Sequence, residues 1–111
     1  MFEVIISDEF GDWFKDLDSQ AKKDIFASIE TLKNFGPALG RPHVDTLKGS
    51  KINNLKELRV RSIGRPFRIL FLFDPKKRAF LLVGGNKAND KKFYKKLITK
   101  AEFIYSKYKE I

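Results

Sequence analysis

The stretch LKELRVRSIGRPFRILFLF, Leu55 to Phe73, carries four arginines in two segments that read as strands. A strand sends every second side chain to the same face. Arg59 and Arg61 therefore point one way, and Leu58 and Val60 point the other. Beyond a turn, Arg68 falls on the face opposite Phe67 and Ile69. A hairpin thus gathers Arg59, Arg61 and Arg68 on one surface. These cations repel each other unless an anion or a carboxylate is near. Between residues 48 and 73 the only acidic residue is Glu57, which shares the face of Arg59 and can pair with it. The planar guanidinium fork matches phosphate oxygens better than an ammonium does. The cluster therefore points to a phosphodiester-binding face. The plainer reading is a set of cross-strand ion pairs.

A second group follows in GGNKANDKKFYKK, with Lys87, Lys91, Lys92, Tyr94, Lys95 and Lys96. Gly84 and Gly85 let the chain turn and let a ligand approach the backbone. The phosphate-loop pattern GxxxxGK[ST] is absent. For Lys95, Lys96 and Lys100 a solvated helix face is a sufficient account. Phe93 belongs to an apolar stripe, which turns Tyr94 to the side or to the surface. There it can stack on a base or hold a phosphate oxygen, and a core role stays equally open. His43 is the one histidine, in a loop flanked by proline, with no carboxylate at metal-ligand spacing. Asp8, Glu9, Asp12, Asp16 and Asp18 read as helix-start charges and a solvated face. No Ser/His/Asp grouping emerges. No metal and no cofactor is expected.

Residues 1–47 hold 5 Lys/Arg and 9 Asp/Glu, while residues 48–111 hold 18 and 5. The nets are −4 and +13 within a total of +9. Segregation of this kind favours a polyanion on one side of the molecule. A chain of 111 residues without cysteine predicts one domain over residues 1–111, with no disulfide framework and no thiol nucleophile. The start, MFEVIISDEFGDW, lacks a basic leader and a long apolar run, so no signal peptide is expected. No stretch approaches the ~18 apolar residues of a membrane span. A soluble, cytoplasmic protein without membrane contact is the expectation.

The elements that must carry these residues can be read in order. Residues 2–6 form a strand, and Ser7 or Asp8 caps a helix with Phe10, Trp13, Phe14 and Leu17 on one face. Asp18 or Ser19 opens a second helix, with Ala21, Ile25, Phe26, Ile29, Leu32 and Phe35 as its apolar side. Gly36-Pro37 ends it. Residues 37–54 form a connector in which DTLKG can pair briefly as an edge. Leu55–Ser62, Phe67–Phe73 and Arg78–Val83 are strands, joined by the turns Ile63–Pro66 and Asp74–Lys77. The run Ala79–Val83 predicts a central strand with two buried faces. A last helix begins near Asn89 or Asp90, burying Phe93, Leu97, Ala101 and Ile104. The order β-α-α-β-β-β-α predicts an α+β fold, with a small antiparallel meander packed against an N-terminal helical hairpin and a C-terminal helix.

The segments LKELRVRSIGRPFRILFLFD and LLVGGNKANDKKFY, with this order of elements, resemble the RelE/ParE superfamily of toxins from bacterial toxin–antitoxin pairs. The nearest likeness is to the phage-derived HigB-like branch. It spans nearly the whole chain and is strongest from Leu55 to Tyr94. The resemblance implies a RelE-like fold and a toxin that cleaves messenger RNA on translating ribosomes without metal, silenced by a cognate antitoxin. A small helix-turn-helix protein encoded nearby is the expected form of that partner. Carried over by position, the implied catalytic set is Arg59, Arg61, Arg68, Lys87 and Tyr94, with Arg65, Lys91, Lys92 and Lys95 contacting RNA. The chain departs from the pattern at Glu57, where some members carry a lysine. The extra pair Arg65-Pro66 in the turn is a second departure.

The implied reaction is attack of an RNA 2′-hydroxyl on the adjacent phosphorus. It leaves a 2′,3′-cyclic phosphate and a 5′-hydroxyl, with Arg61 and Arg68 stabilising the phosphoryl charge. Lys87, Lys91, Tyr94 and Glu57 are the candidates for proton transfer. Two other functions fit the same residues: a ParE-like inhibitor of DNA gyrase, and a non-catalytic nucleic-acid-binding module.

Overall fold

The computed structural model describes residues 1–109. Its elements are β1 (Val4–Ile6), α1 (Asp8–Lys15), α2 (Ser19–Phe35), a 3₁₀ turn (Gly36–Ala38), β2 (Val44–Thr46), β3 (Lys56–Ser62), β4 (Arg65–Phe73), β5 (Ala79–Asn86) and α3 (Phe93–Lys109). They form one five-stranded sheet in the order β1-β5-β4-β3-β2. The expected α+β class and the antiparallel meander β3-β4-β5 hold. The brief edge pairing read in DTLKG is real and begins slightly earlier, at Val44–Thr46 against β3, which adds an element to the order. One feature differs from expectation: β1 lies parallel to β5, so the sheet is mixed.

The local signals act as their chemistry requires. Ser7 caps α1, its Oγ accepting from the Phe10 amide at 2.9 Å and donating to the Leu82 carbonyl at 2.5 Å. One buried hydroxyl thus ties the first helix to the interior strand β5. Asp18 precedes α2, and Gly36, at φ 56°, ends it. Gly36 tolerates that left-handed backbone and leaves room for the Phe2 ring, which a Cβ would meet at 2.2 Å.

The sheet separates two cores. On one face, α1 and α2 bring Phe10, Ala21, Ile25 and Leu32 against Leu58, Val60, Phe67, Ile69, Phe71 and Leu81. On the other, α3 brings Phe93, Leu97, Ala101 and Ile104 against Leu55, Leu70, Leu72, Phe80, Leu82 and Val83. The alternation read in β4 is therefore correct, with both of its faces buried. Two residues of the α2 stripe are not core: Phe26 is 60% exposed and Phe35 57%. The helix touches the sheet over a narrower arc than its apolar residues occupy.

One irregularity matters for the site. Leu70 pairs with Val83, but Phe71 pairs with Leu81, so Leu82 is an extra residue in β5. This bulge turns Leu82 and Val83 toward α3 together. The pattern beyond it is reset. Gly84 then faces the Trp13 ring, and Gly85 faces Phe93.

Candidate functional site

Arg59 and Arg68 lie directly across from each other in the β3–β4 ladder, on the face covered by the start of α3. On its other side Arg68 is opposite Gly85. A Cβ at Gly85 would come within 2.9 Å of the Phe93 ring, so glycine there lets α3 begin close above the sheet. That approach brings Tyr94 over the arginine pair.

Glu57 joins these groups. Its residue is 2% exposed. One carboxylate oxygen accepts from the Tyr94 hydroxyl at 2.6 Å and lies 3.4 Å from Arg68 Nε. The other accepts from Arg59 Nε at 3.1 Å and forms an ion pair with Arg59 Nη2 at the same distance. Arg68 Nε also donates to the Tyr94 oxygen at 3.3 Å, and its Nη1 donates to the Phe67 carbonyl at 3.0 Å. Arg68 Nη2 makes no hydrogen bond among the described residues. Arg59 Nη2 reaches Asp45 on β2 at 3.2 Å, and Asp45 also pairs with Arg41. A line of alternating charge thus crosses three strands, with one buried carboxylate at its centre. Burial and the hydrogen bond to Glu57 push the Tyr94 phenol up from its ordinary value, against an opposing pull from Arg68. Tyr94 therefore remains a neutral donor across the physiological range.

The other expected residues are distributed unevenly. Lys87 joins the cluster, its Nζ 5.3 Å from the centroid of the Tyr94 ring. Arg61 shares the face of Arg59 but stands at the exposed end of the hairpin, where Nη1 donates to the Gly64 carbonyl at 3.1 Å. Arg65 lies on the opposite face. It packs over the Phe67 ring and pairs with Asp18 at 3.0 Å, so it is not brought to the arginine pair. Lys91, Lys92 and Lys95 are exposed at the start of α3. The expected turn Ile63–Pro66 is shorter, since Arg65 and Pro66 already pair within β4.

Two contributors escaped the sequence reading, and a third was read only in part. Asp45 belongs to an edge strand too short to show alternation. Gly85 looked like a loop residue. Glu57 was visible as a partner of Arg59, but its hold on Arg68 and Tyr94 depends on strand register and helix approach. The lone acidic residue within a basic stretch was the available signal. His43 is exposed, and only its backbone carbonyl takes part here, accepting from the Arg59 amide at 2.8 Å. No cluster of three His, Cys, Asp or Glu side chains able to hold a metal occurs among the described residues. No helix among them is long and apolar enough to cross a membrane. A groove of about 600 Å³ lies elsewhere, between α1, β5 and α3, lined by Trp13, Val83, Phe103 and Ile104.

Comparison with known proteins adds the following. Residues 12–106 match the family described as phage-derived protein Gp49-like. A Mycobacterium tuberculosis protein named "Putative toxin HigB2" is 52% identical over 77 residues, which is 68% of this chain and 38% of the relative. This chain therefore matches well under half the length of that relative. A second from the same organism, "Putative toxin HigB3", is 44% identical over 92 residues, covering 82% of this chain and 79% of the relative. Among solved structures, the intact E. coli RelBE toxin–antitoxin complex aligns with a TM-score of 0.49 and 9% identity, over 77% of this chain and 95% of the matched one.

Proposed function

Since the chain belongs to the phage-derived Gp49-like family, we propose that it is the toxin of a toxin–antitoxin pair and an endoribonuclease acting on messenger RNA at translating ribosomes. Its partners in this reading are a cognate antitoxin, the ribosome and messenger RNA. The M. tuberculosis relatives carry toxin names, which supports the biological role. The observation that carries the chemistry is the Arg59–Glu57–Arg68 arrangement under Tyr94, with an arginine edge left unbonded among the described residues.

In this reading the substrate's 2′-oxygen forms a bond to phosphorus as the bond from phosphorus to the 5′-oxygen breaks. The charge that accumulates on the phosphoryl oxygens is met by Arg68 Nη2 and by Arg61. Because Glu57 and the Phe67 carbonyl already hold the Arg68 plane, little reorganisation is needed when charge develops. Glu57 is committed through both oxygens, so its part is to position the arginines and not to remove the 2′-proton. Tyr94, kept neutral, donates its one hydroxyl proton to Glu57 and so helps hold the carboxylate and Arg68 in place. Lys87, above the Tyr94 ring, protonates the leaving 5′-oxygen, and the 2′-proton passes to a solvent water as the new bond to phosphorus forms. A 2′-hydroxyl nucleophile makes DNA inert.

The test is brief induction in bacteria followed by mapping of messenger RNA 5′ ends, beside an Arg61→Ala/Arg68→Ala control whose fold is verified by circular dichroism. New ends within translated codons, absent from the control, are expected. Growth arrest with intact messenger RNA would overturn the reading and direct attention to DNA gyrase or another target.

A further inference from the structure

The hairpin joining β3 to β4 has only two turn residues, Ile63 and Gly64, closed by the Ser62–Arg65 pair. Both have positive φ, 49° and 72°. That is the signature of a type I′ turn, for which Asn-Gly is the favoured sequence. An isoleucine there is anomalous, because a β-branched side chain at positive φ crowds its own backbone. Packing does not explain it, since Ile63 is 74% exposed. The backbone around it is braced, with Arg61 donating to the Gly64 carbonyl and Arg65 Nε donating to the Ser62 carbonyl, each at 3.1 Å. A strained residue that contributes nothing to the core, on a stiffened support, is a reason to look for a ligand.

The surroundings indicate which ligand. Ile63 lies four residues past Arg59, about 13 Å along the strand, on the hairpin that carries Arg59, Arg61, Arg65 and Arg68. An apolar tip among cations is poorly matched to an apolar protein groove. It is well matched to a polyanion that displays flat apolar faces, which is single-stranded nucleic acid. We propose that Ile63 packs against an unpaired base of the bound RNA strand, next to a phosphate engaged by Arg61, and so sets the strand's position relative to Arg68. This rests on the ribonuclease reading above.

The test uses the whole chain and a labelled single-stranded octaribonucleotide, 2′-O-methylated to prevent cleavage, followed by fluorescence anisotropy at several salt concentrations. Ile63→Asn should melt several degrees higher, because the strain is relieved. It should bind about five- to tenfold more weakly at every salt concentration, with an unchanged salt slope. Ile63→Leu, which keeps the apolar bulk, should bind within twofold of the parent. Arg61→Gln should instead lower the salt slope by about 0.7, the signature of one lost phosphate contact on a single strand. Parent-like binding by Ile63→Asn would overturn the contact and leave the tip to a protein partner or to no ligand, with the ribonuclease reading untouched. Absence of salt-dependent binding by the parent itself would also overturn the contact, and the ribonuclease reading would then stand or fall on the messenger RNA map alone.

Discussion

Replacing Glu57 by glutamine exchanges one oxygen for an amide NH2 and removes the charge of the carboxylate that holds Arg59 and Arg68. The side chain is 3% exposed and faces guanidinium nitrogens at 3.1 and 3.4 Å. At an effective dielectric of about 20, a unit-charge contact at such distances is worth about 5 kcal/mol before desolvation is counted. Arg59, at 35% side-chain exposure, is screened by water and keeps only part of that. Arg68, at 14%, keeps most. The amide also turns a donor toward an arginine or the tyrosine, where an acceptor is required. Breaking a buried pair from one side costs about 3–5 kcal/mol, against a total stability of about 5–15 kcal/mol for a domain of this size. Urea unfolding followed by tryptophan fluorescence should show the midpoint falling by about 2–3 M, taking a slope of about 1.5 kcal/mol/M. Because the cluster is buried, 0.5 M salt should recover little of the loss. Glu57→Gln combined with Arg68→Met should be less damaging than the two single effects added, with a coupling of at least about 1 kcal/mol. A Glu57→Gln protein within about 0.5 kcal/mol of the parent would refute the reasoning. It would mean that the arginines hold their places without the carboxylate.

Arg68→Ala should lower cleavage about 100-fold or more, read as single-turnover rate on ribosome-bound message, with the fold retained. Tyr94→Phe removes a hydroxyl hydrogen-bonded to Glu57 and Arg68 and should cost about 1–3 kcal/mol in urea unfolding. The Tyr94 pKa is raised in the fold, so its contribution is complete below the ordinary value of 10.0 and declines as pH rises from there through the folded value. Part of the parent's alkaline destabilisation should accordingly be missing in the phenylalanine variant. Ser7→Ala should cost about 1–2 kcal/mol, because it uncaps α1 and leaves the Leu82 carbonyl without its hydroxyl partner. Gly84→Ala places a methyl 2.3 Å from the Trp13 ring and should cost about 1–3 kcal/mol, with a shift in tryptophan emission as the ring is displaced.

What the sequence disclosed follows the range of the interactions involved. β3, β4 and β5 were legible because each carries an unbroken alternation or a two-faced apolar run, and the Ser7 cap and the start of α2 at Asp18 were legible because such signals are local. The partner of β1 was not. Val4–Ile6 pairs in parallel with residues some 75 positions later, and nothing in FEVIIS specifies that neighbour. Arg65 was expected to contact RNA through the family resemblance alone, and the turn that holds it was read as four residues. With two turn residues, the parity of β4 sends Arg65 to the α2 side, beside Asp18. Phe26 and Phe35 fit the helical period, yet periodicity does not give the width of the surface that a sheet can cover. At the site, the facing of Arg59 and Arg68 was within reach of strand parity. The centring of the cluster on Glu57 was not, because it requires the bulge at Leu82 and the glycine at position 85.

The parallel pairing of β1 with β5 also bears on how the protein comes into being. The ribosome delivers β1, α1 and α2 long before Ala79–Leu81 exist to receive β1, and Ser7 waits 75 residues for the Leu82 carbonyl. At about 5–20 residues per second the wait is several seconds. Tyr94 arrives later still, 37 residues after Glu57. Contacts of such long sequence separation close last and slowly, so a nascent chain holds its arginines without the lid that completes them. For a protein read as acting against the machinery that makes it, this topology defers assembly of the cluster until the chain through Tyr94 has left the ribosome that produced it.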